Sequence, residues 1–311
     1  MNENRILVIA GPTAVGKTEY AIEAAKAFNG EIVSCDSMQL YQYMDIGSAK
    51  PTQEERKQAV HHLIDFLDPR EEFSVARYQE MARTVIDDIL SRGKLPVISG
   101  GTGLYLNSIL YDMDFAGASG DEELRAMLKA KAETEGPETL HTMLAQLDPA
   151  AAERIHPNNT KKIIRAIERL QAGEGEVRPF DGNISENPDY DPLMVCLVRD
   201  REELYNRINR RVDLLIEAGL IDEVQSLTEM GLTAEDISMK GIGYKEVIDY
   251  LNGETTLDDA IDTIKKNTRH YAKRQLTWFR RYDKMNVINL SEYLNDEEAK
   301  KEFIRWLEKR L

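Results

Sequence analysis

GPTAVGKT, residues 11–18, satisfies the pattern G-x-x-x-x-G-K-[ST] at every fixed position. Before it, Arg5 to Ala10 (RILVIA) is a short apolar run stopped by glycine, as in a buried strand. After it, Thr18 to Phe28 has helical periodicity and good helix formers. Strand, glycine loop and helix together make a phosphate cradle. Gly11, Thr13, Ala14, Val15, Gly16, Lys17 and Thr18 line an anion nest, and the helix that follows points its positive end at the same place. Lys17 supplies a point charge to the outer phosphate, and the Thr18 hydroxyl is placed to hold magnesium.

The flanking sequence extends this nucleus into a sheet. Glu31–Cys35 (EIVSC) reads as a second strand, 77–92 as an amphipathic helix closed by Gly93, and Leu95–Ser99 as a third strand running into GGTGLY. Strands alternating with helices predict an α/β fold, a P-loop NTPase-like parallel sheet covered on both faces. Further strands are expected at Leu193–Val198 and Asn286–Leu290. Between residues 121 and 173 no strand-like run occurs, and breaks fall at Gly136-Pro137, Asp148-Pro149 and His156-Pro157. Residues 173–192 read as a loop. The expected organisation is a catalytic core, 1–116 with 191–311, interrupted by an all-helical insertion at 117–190.

The 311-residue chain has the composition of an ordinary globular protein, 42% hydrophobic and 31% charged, so disorder is excluded as its main state. No stretch approaches the roughly 20 apolar residues needed to cross a bilayer, and the N-terminus lacks a signal-peptide layout. The expected location is the cytoplasm, with no membrane partner. Two cysteines, Cys35 and Cys196, exclude a disulfide framework and a four-cysteine zinc site. A net charge of −15 argues against general coating of nucleic acid, but residues 264–284 carry eight Lys or Arg against one acid.

Three features carry further chemistry. The third strand ends without an acid, whereas the second ends in Asp36, at the sheet edge that the phosphate loop shares. Asp36 fits either a general base or a magnesium anchor, and GGTG brings Thr102 to the same edge. On the predicted helix from Arg201 to Gly219, Arg207 and Arg211 lie one turn apart, a spacing suited to gripping phosphate oxygens. At 100° per residue, Leu257, Ile261, Ile264, Thr268, Ala272, Gln275 and Phe279 share one helix face. Lys266, Arg269, His270, Lys273 and Arg280 fall opposite, a cationic stripe suited to a polyanion.

Six stretches in order resemble one family, the tRNA dimethylallyltransferases (tRNA isopentenyltransferases). They are GPTAVGKT, DSMQLYQYMDIGSAKP, GGTGLYLNSIL, IHPNNTKKIIRAIE, MKGIGYKEV and NTRHYAKRQLTWFRR, between residue 5 and about residue 282. The resemblance implies transfer of a dimethylallyl group from dimethylallyl diphosphate to the exocyclic amine of the adenosine just 3′ of a tRNA anticodon. On that reading the cradle holds a leaving group, with Mg2+ as cofactor at Thr18. Asp36 is the acid that holds the amine and takes its proton. Lys17, Thr102 and Arg211 complete the catalytic set. Asp36, Ser37, Met38, Gln39 and Thr102 line the adenosine pocket. Lys161, Lys162, Ile163, Ile164 and Arg165 in the insertion touch the RNA, which Lys273 and Arg280 also serve. The tRNA partner is the anticodon stem-loop, and the protein is expected to act as a monomer. Eukaryotic relatives append a zinc finger, so two distant cysteines place the chain with the shorter bacterial form. A small-molecule kinase using the same loop, or an adenine-nucleotide isopentenyltransferase, are the alternatives.

Overall fold

In β1 (Arg5–Ala10) the apolar run is buried on both sides. Ile6 and Val8 enter one hydrophobic cluster and Leu7 and Ile9 the other. This is the two-residue period of a strand covered on both faces. The computed structural model describes residues 4–113, 122–173 and 185–311. They form two compact units, Met1–Asp112 with Glu186–Leu311, and Met113–Ser185.

In the larger unit β1 is followed by α1 (Lys17–Ala27), β2 (Gly30–Cys35), α2 (Gln53–Gln58), β3 (His61–His62), α3 (Val75–Ser91), β4 (Leu95–Gly100) and α4 (Gly103–Leu110). The smaller unit contains α5 (Glu122–Glu135), α6 (Pro137–Leu147), α7 (Pro149–Arg154) and α8 (Thr160–Gln171), and no strand among its described residues. Its own core is built on Leu128, Leu140, Leu144, Ile163 and Ile167. Gly136 and Asp148 end helices where the sequence breaks predict, and Asn159 caps α8 with its side chain.

The larger unit resumes with β5 (Asp191–Val198), two residues earlier than expected, then α9 (Arg201–Glu217), α10 (Leu220–Glu229), α11 (Tyr244–Leu251), α12 (Leu257–Phe279), β6 (Asn286–Asn289) and α13 (Asp296–Glu308). The six strands form one parallel sheet in the order β3-β2-β4-β1-β5-β6. Ala10 pairs with Gly100 and with Cys196, and Gly100 pairs with Cys35. β1, β2 and β4 therefore end level, and β5 runs two residues further, to Val198. The segments that follow them, from Asp36, Gly101, Gly11 and Arg199, meet at one edge. With neighbouring strands about 4.8 Å apart, the strand leading to Asp36 lies roughly 10 Å from the one leading to the phosphate loop. No helix among the described residues is long and apolar enough to cross a membrane.

Candidate active site

The phosphate loop is held by its own carbonyls. Lys17 Nζ donates to Gly11 O at 3.0 Å and to Pro12 O at 2.9 Å. Arg207 Nε donates to Ala14 O, and Arg199 Nε to Val15 O, each at 3.1 Å. The C=O of a trans peptide points opposite to the next N–H. Tying the Ala14 and Val15 carbonyls to arginines therefore turns the Val15 and Gly16 amides the other way, where the Val15 N–H donates to Pro12 O at 3.4 Å. The amides of Lys17 and Thr18 open α1, where no intrahelical acceptor exists. Thr13 departs from the expected nest: its N–H donates to Gln275 Oε1 at 2.9 Å and is not free for a phosphate. At Gly11 a β-carbon would lie 2.6 Å from the Leu197 carbonyl oxygen, so the turn into the loop admits only glycine.

On the β2–β4 flank, Asp36 follows β2 and accepts from Met38 N at 2.9 Å, which fixes its carboxylate in a turn. Thr102 Oγ1 accepts from Ser37 N at 3.1 Å, while Thr102 N donates to Cys35 O at 3.1 Å. Gly100 and Gly101 make room for protein. A β-carbon at Gly100 would sit 2.0 Å from Cys35 O, and one at Gly101 would sit 2.2 Å from Gln275 Nε2. Met38 packs on Gly241, and Gln39 donates to Ala49 O at 3.2 Å, bracing its own loop.

That loop has a second anchor. Glu223 on α10 accepts from three successive amides, Asp45, Ile46 and Gly47, at 2.8, 2.7 and 2.9 Å, and from the Tyr244 hydroxyl at 2.9 Å. Lys50, 7% exposed, pairs with Asp45 and Asp65 at 2.6 and 2.8 Å. These contacts make the segment from Asp36 to Lys50 a rigid wall.

Charge converges between the two sides. Burial lowers the Lys17 ammonium to about 8, with Asp36 raising it and Arg211 lowering it. The Arg211 guanidinium is likewise drawn below its ordinary value by burial, against the pull of Asp36. Lys17, Asp36 and Arg211 thus face one another electrostatically, and Arg211 has no hydrogen-bond or ion-pair partner among the described residues. Burial raises the Tyr271 hydroxyl, which lies against Thr102 and feels Asp36. Cys35 and Cys196 are free and buried, pushed up to about 12 and about 11 by desolvation, so neither supplies a thiolate at neutral pH. The Thr18 hydroxyl is uncommitted among the described residues. No cluster of three or more His, Cys, Asp or Glu among the described residues could hold a metal. Magnesium bound mainly through diphosphate oxygens suits such a site, since it takes few protein ligands.

The exposed face of α12 carries Lys266, His270, Lys273, Arg274 and Arg280. Arg269, expected on that stripe, is half-buried and donates to Asn209 Oδ1 on α9 at 2.5 Å. Lys273 and Arg280 also border a cavity of about 470 Å3 with Cys196, Leu204, Leu276 and Phe279. This cavity lies on the β5–β6 flank of the phosphate loop, opposite Asp36 and Thr102. In the smaller unit Lys161 and Lys162 are exposed, and Arg165 pairs with Glu168 at 3.1 Å. Ile164 is partly buried. Ile163 is a correction: its side chain is fully buried in that unit's core, because it lies on the apolar face of α8, and it offers no surface to RNA.

Arg199, Glu223 and the bridging role of Gln275 were not singled out in the sequence. Gln275 alone left a trace there, as one of two polar residues, with Thr268, on a mostly apolar helix face.

Comparison with known proteins supplies the family. The chain matches the IPP transferase family over residues 39–282 and the isopentenyl transferase family over residues 4–71. It is 53% identical over 291 residues to the tRNA dimethylallyltransferase of Alkaliphilus oremlandii, covering 94% of this chain and 93% of the relative. With the Clostridioides difficile tRNA dimethylallyltransferase it shares 46% identity over 307 residues, 99% and 98% of the two chains. The crystal structure of the full-length tRNA isopentenylpyrophosphate transferase from Bacillus halodurans superposes with a TM-score of 0.74 at 43% identity, covering 98% of this chain and 96% of that one. A eukaryotic dimethylallyltransferase captured acting on tRNA gives a TM-score of 0.80 at 28% identity, covering 97% of this chain and 80% of the other. Phosphate loop, level strand ends and matches spanning nearly the whole chain lead to one conclusion: the chain belongs to the IPP transferase family, among the tRNA dimethylallyltransferases.

Proposed function

We propose that this protein transfers the dimethylallyl group of dimethylallyl diphosphate to the exocyclic N6 amine of the adenosine 3′ of the anticodon in tRNA, releasing diphosphate. The observation that carries this reading is the placement of Asp36 and Thr102 two strands and one strand from the phosphate loop, with Lys17 of that loop and Arg211 of α9 both feeling the Asp36 charge. Donor and acceptor sites flank one gap.

Heterolysis of the allylic C–O bond leaves new negative charge on the diphosphate. Loop amides, Arg211 and the Lys17 ammonium, which has one N–H beyond those given to Gly11 O and Pro12 O, stabilise it with little reorganisation, usually the largest catalytic contribution. Magnesium, held by Thr18 and the diphosphate, would supply further charge neutralisation. The adenine amine is a poor nucleophile because its lone pair is delocalised into the ring. Asp36, set by its bond from Met38 N, accepts the amine proton as the N–C bond forms. Base extrusion costs a few kcal/mol, less in a single-stranded anticodon loop. Lys161, Lys162, Lys273 and Arg280 offer exposed charge to the RNA backbone.

The test combines purified protein, magnesium and labelled dimethylallyl diphosphate with either unmodified tRNA or AMP. Label is expected on tRNA only. Label on AMP alone would favour a nucleotide prenyltransferase, and phosphate transfer from ATP to a metabolite a kinase. The charge-reversed double variant Lys273→Glu with Arg280→Glu is expected to weaken tRNA binding. It should also reduce the slope of log K against log salt by about 0.7 for each RNA phosphate that the variant no longer neutralises. Diphosphate affinity in that variant should stay within twofold, and a salt slope equal to that of the parent would remove these two residues from the RNA interface.

A further inference from the structure

We propose that Gln275 is a positioning residue for prenyl transfer, its carboxamide joining the donor loop to the acceptor loop where the sheet no longer does so; this rests on the reading above. β1 and β4 are paired up to Ala10 and Gly100. Beyond that rung the chains diverge into the phosphate loop and the Thr102 loop. No backbone hydrogen bond joins the two loops among the described residues. Gln275 Oε1 accepts from Thr13 N at 2.9 Å, and its Nε2 donates to Gly101 O at 3.0 Å. One side-chain amide thus supplies the acceptor and the donor that a peptide unit would offer as the next rung.

The bridge is enclosed. Gln275 is 5% exposed, so water competes poorly for either hydrogen bond. Its helix is pressed onto the acceptor loop, since a β-carbon at Gly103 would meet Trp278 at 2.3 Å. Tyr271, one turn before Gln275, lies against Thr102. Tyr282 donates to Asn107 Oδ1 on α4. The same helix exposes Lys273 and Arg280 on its other side, so Gln275 sits between the RNA-facing surface and the reacting gap. Only an amide meets both demands. A carboxylate has no donor for the Gly101 carbonyl and brings negative charge beside the diphosphate, and a thioether bonds to neither partner strongly.

The test is single-turnover transfer with enzyme in excess over tRNA, in Gln275→Met and Gln275→Glu variants. As long as the folded enzyme still saturates the tRNA, a misfolded fraction leaves that rate constant unchanged. Loss of alignment lowers the rate constant itself, since a displacement of about 1 Å can cost about 10²-fold. Gln275→Met is expected to slow the rate constant 10- to 100-fold at a tRNA affinity within twofold of the parent. Gln275→Glu should be slower still and bind inorganic diphosphate at least tenfold more weakly. If Gln275→Met gives no active protein, Gln275→Asn decides: an amide one methylene short should also be at least tenfold slow. A parental rate constant in the soluble variants overturns the proposal. Absence of transfer by the parent protein would instead overturn the function on which it rests.

Discussion

Asp36→Asn is expected to lower the rate of prenyl transfer by about 10²–10⁴-fold, the range that general-base assistance supplies. The substitution keeps the shape of the side chain, and the amide oxygen still accepts from Met38 N, so the turn after β2 should survive. What it removes is the ability to take a proton from an amine as the new bond forms. It also removes the negative charge that Lys17 and Arg211 both face. Two readouts separate these effects. Transfer measured at saturating tRNA reports the lost base, while filter binding of tRNA is expected to change less than twofold. Near-parental transfer by Asp36→Asn would assign proton removal to another group or to solvent.

Lys17→Met is expected to reduce transfer by about 10²–10³-fold, the cost of deleting one donor aimed at developing negative charge. Its pH dependence gives a second, independent test in the unsubstituted protein. Burial holds Lys17 at about 8 when no anion is bound, so the ammonium is intact at pH 7 and largely discharged at pH 9. Diphosphate requires the charged form, and its apparent affinity falls in proportion to the charged fraction of free enzyme. Binding is therefore expected to weaken about tenfold between pH 7 and pH 9. Proton uptake should accompany binding in that window, measurable by calorimetry in buffers of different ionisation enthalpy. Lys17→Met should bind more weakly at pH 7 and lose this pH dependence. Affinity independent of pH across the window, with no proton uptake, would show that Lys17 remains charged in the empty site.

Rigidity explains why these effects should be large. The phosphate loop is tied through the carbonyls of Gly11, Pro12, Ala14 and Val15 and through the amide of Thr13. The acceptor loop is tied through Glu223, Tyr244 and Lys50. Groups fixed in this way need little rearrangement when charge develops, the condition under which electrostatic stabilisation is effective.

The amino-acid sequence by itself determined the parallel α/β fold, the phosphate loop, the level of Asp36 at the strand ends and the buried face of α12. All of these are local: a glycine pattern, an apolar run, and a period of two or 3.6 residues set by backbone geometry. α2, α4, α10, α11 and α13 were not among the expected elements, nor was the short β3. Tertiary structure alone decided that Arg199 and Arg207 turn the loop's peptides, that Glu223 gathers three amides from a segment far away in the chain, and that Gln275 bridges two loops. It also moved Ile163 into a core and Arg269 onto α9. Hydrogen bonds between residues more than a hundred positions apart leave no periodicity along the chain, because their partners become neighbours only once the sheet has brought the strand ends together.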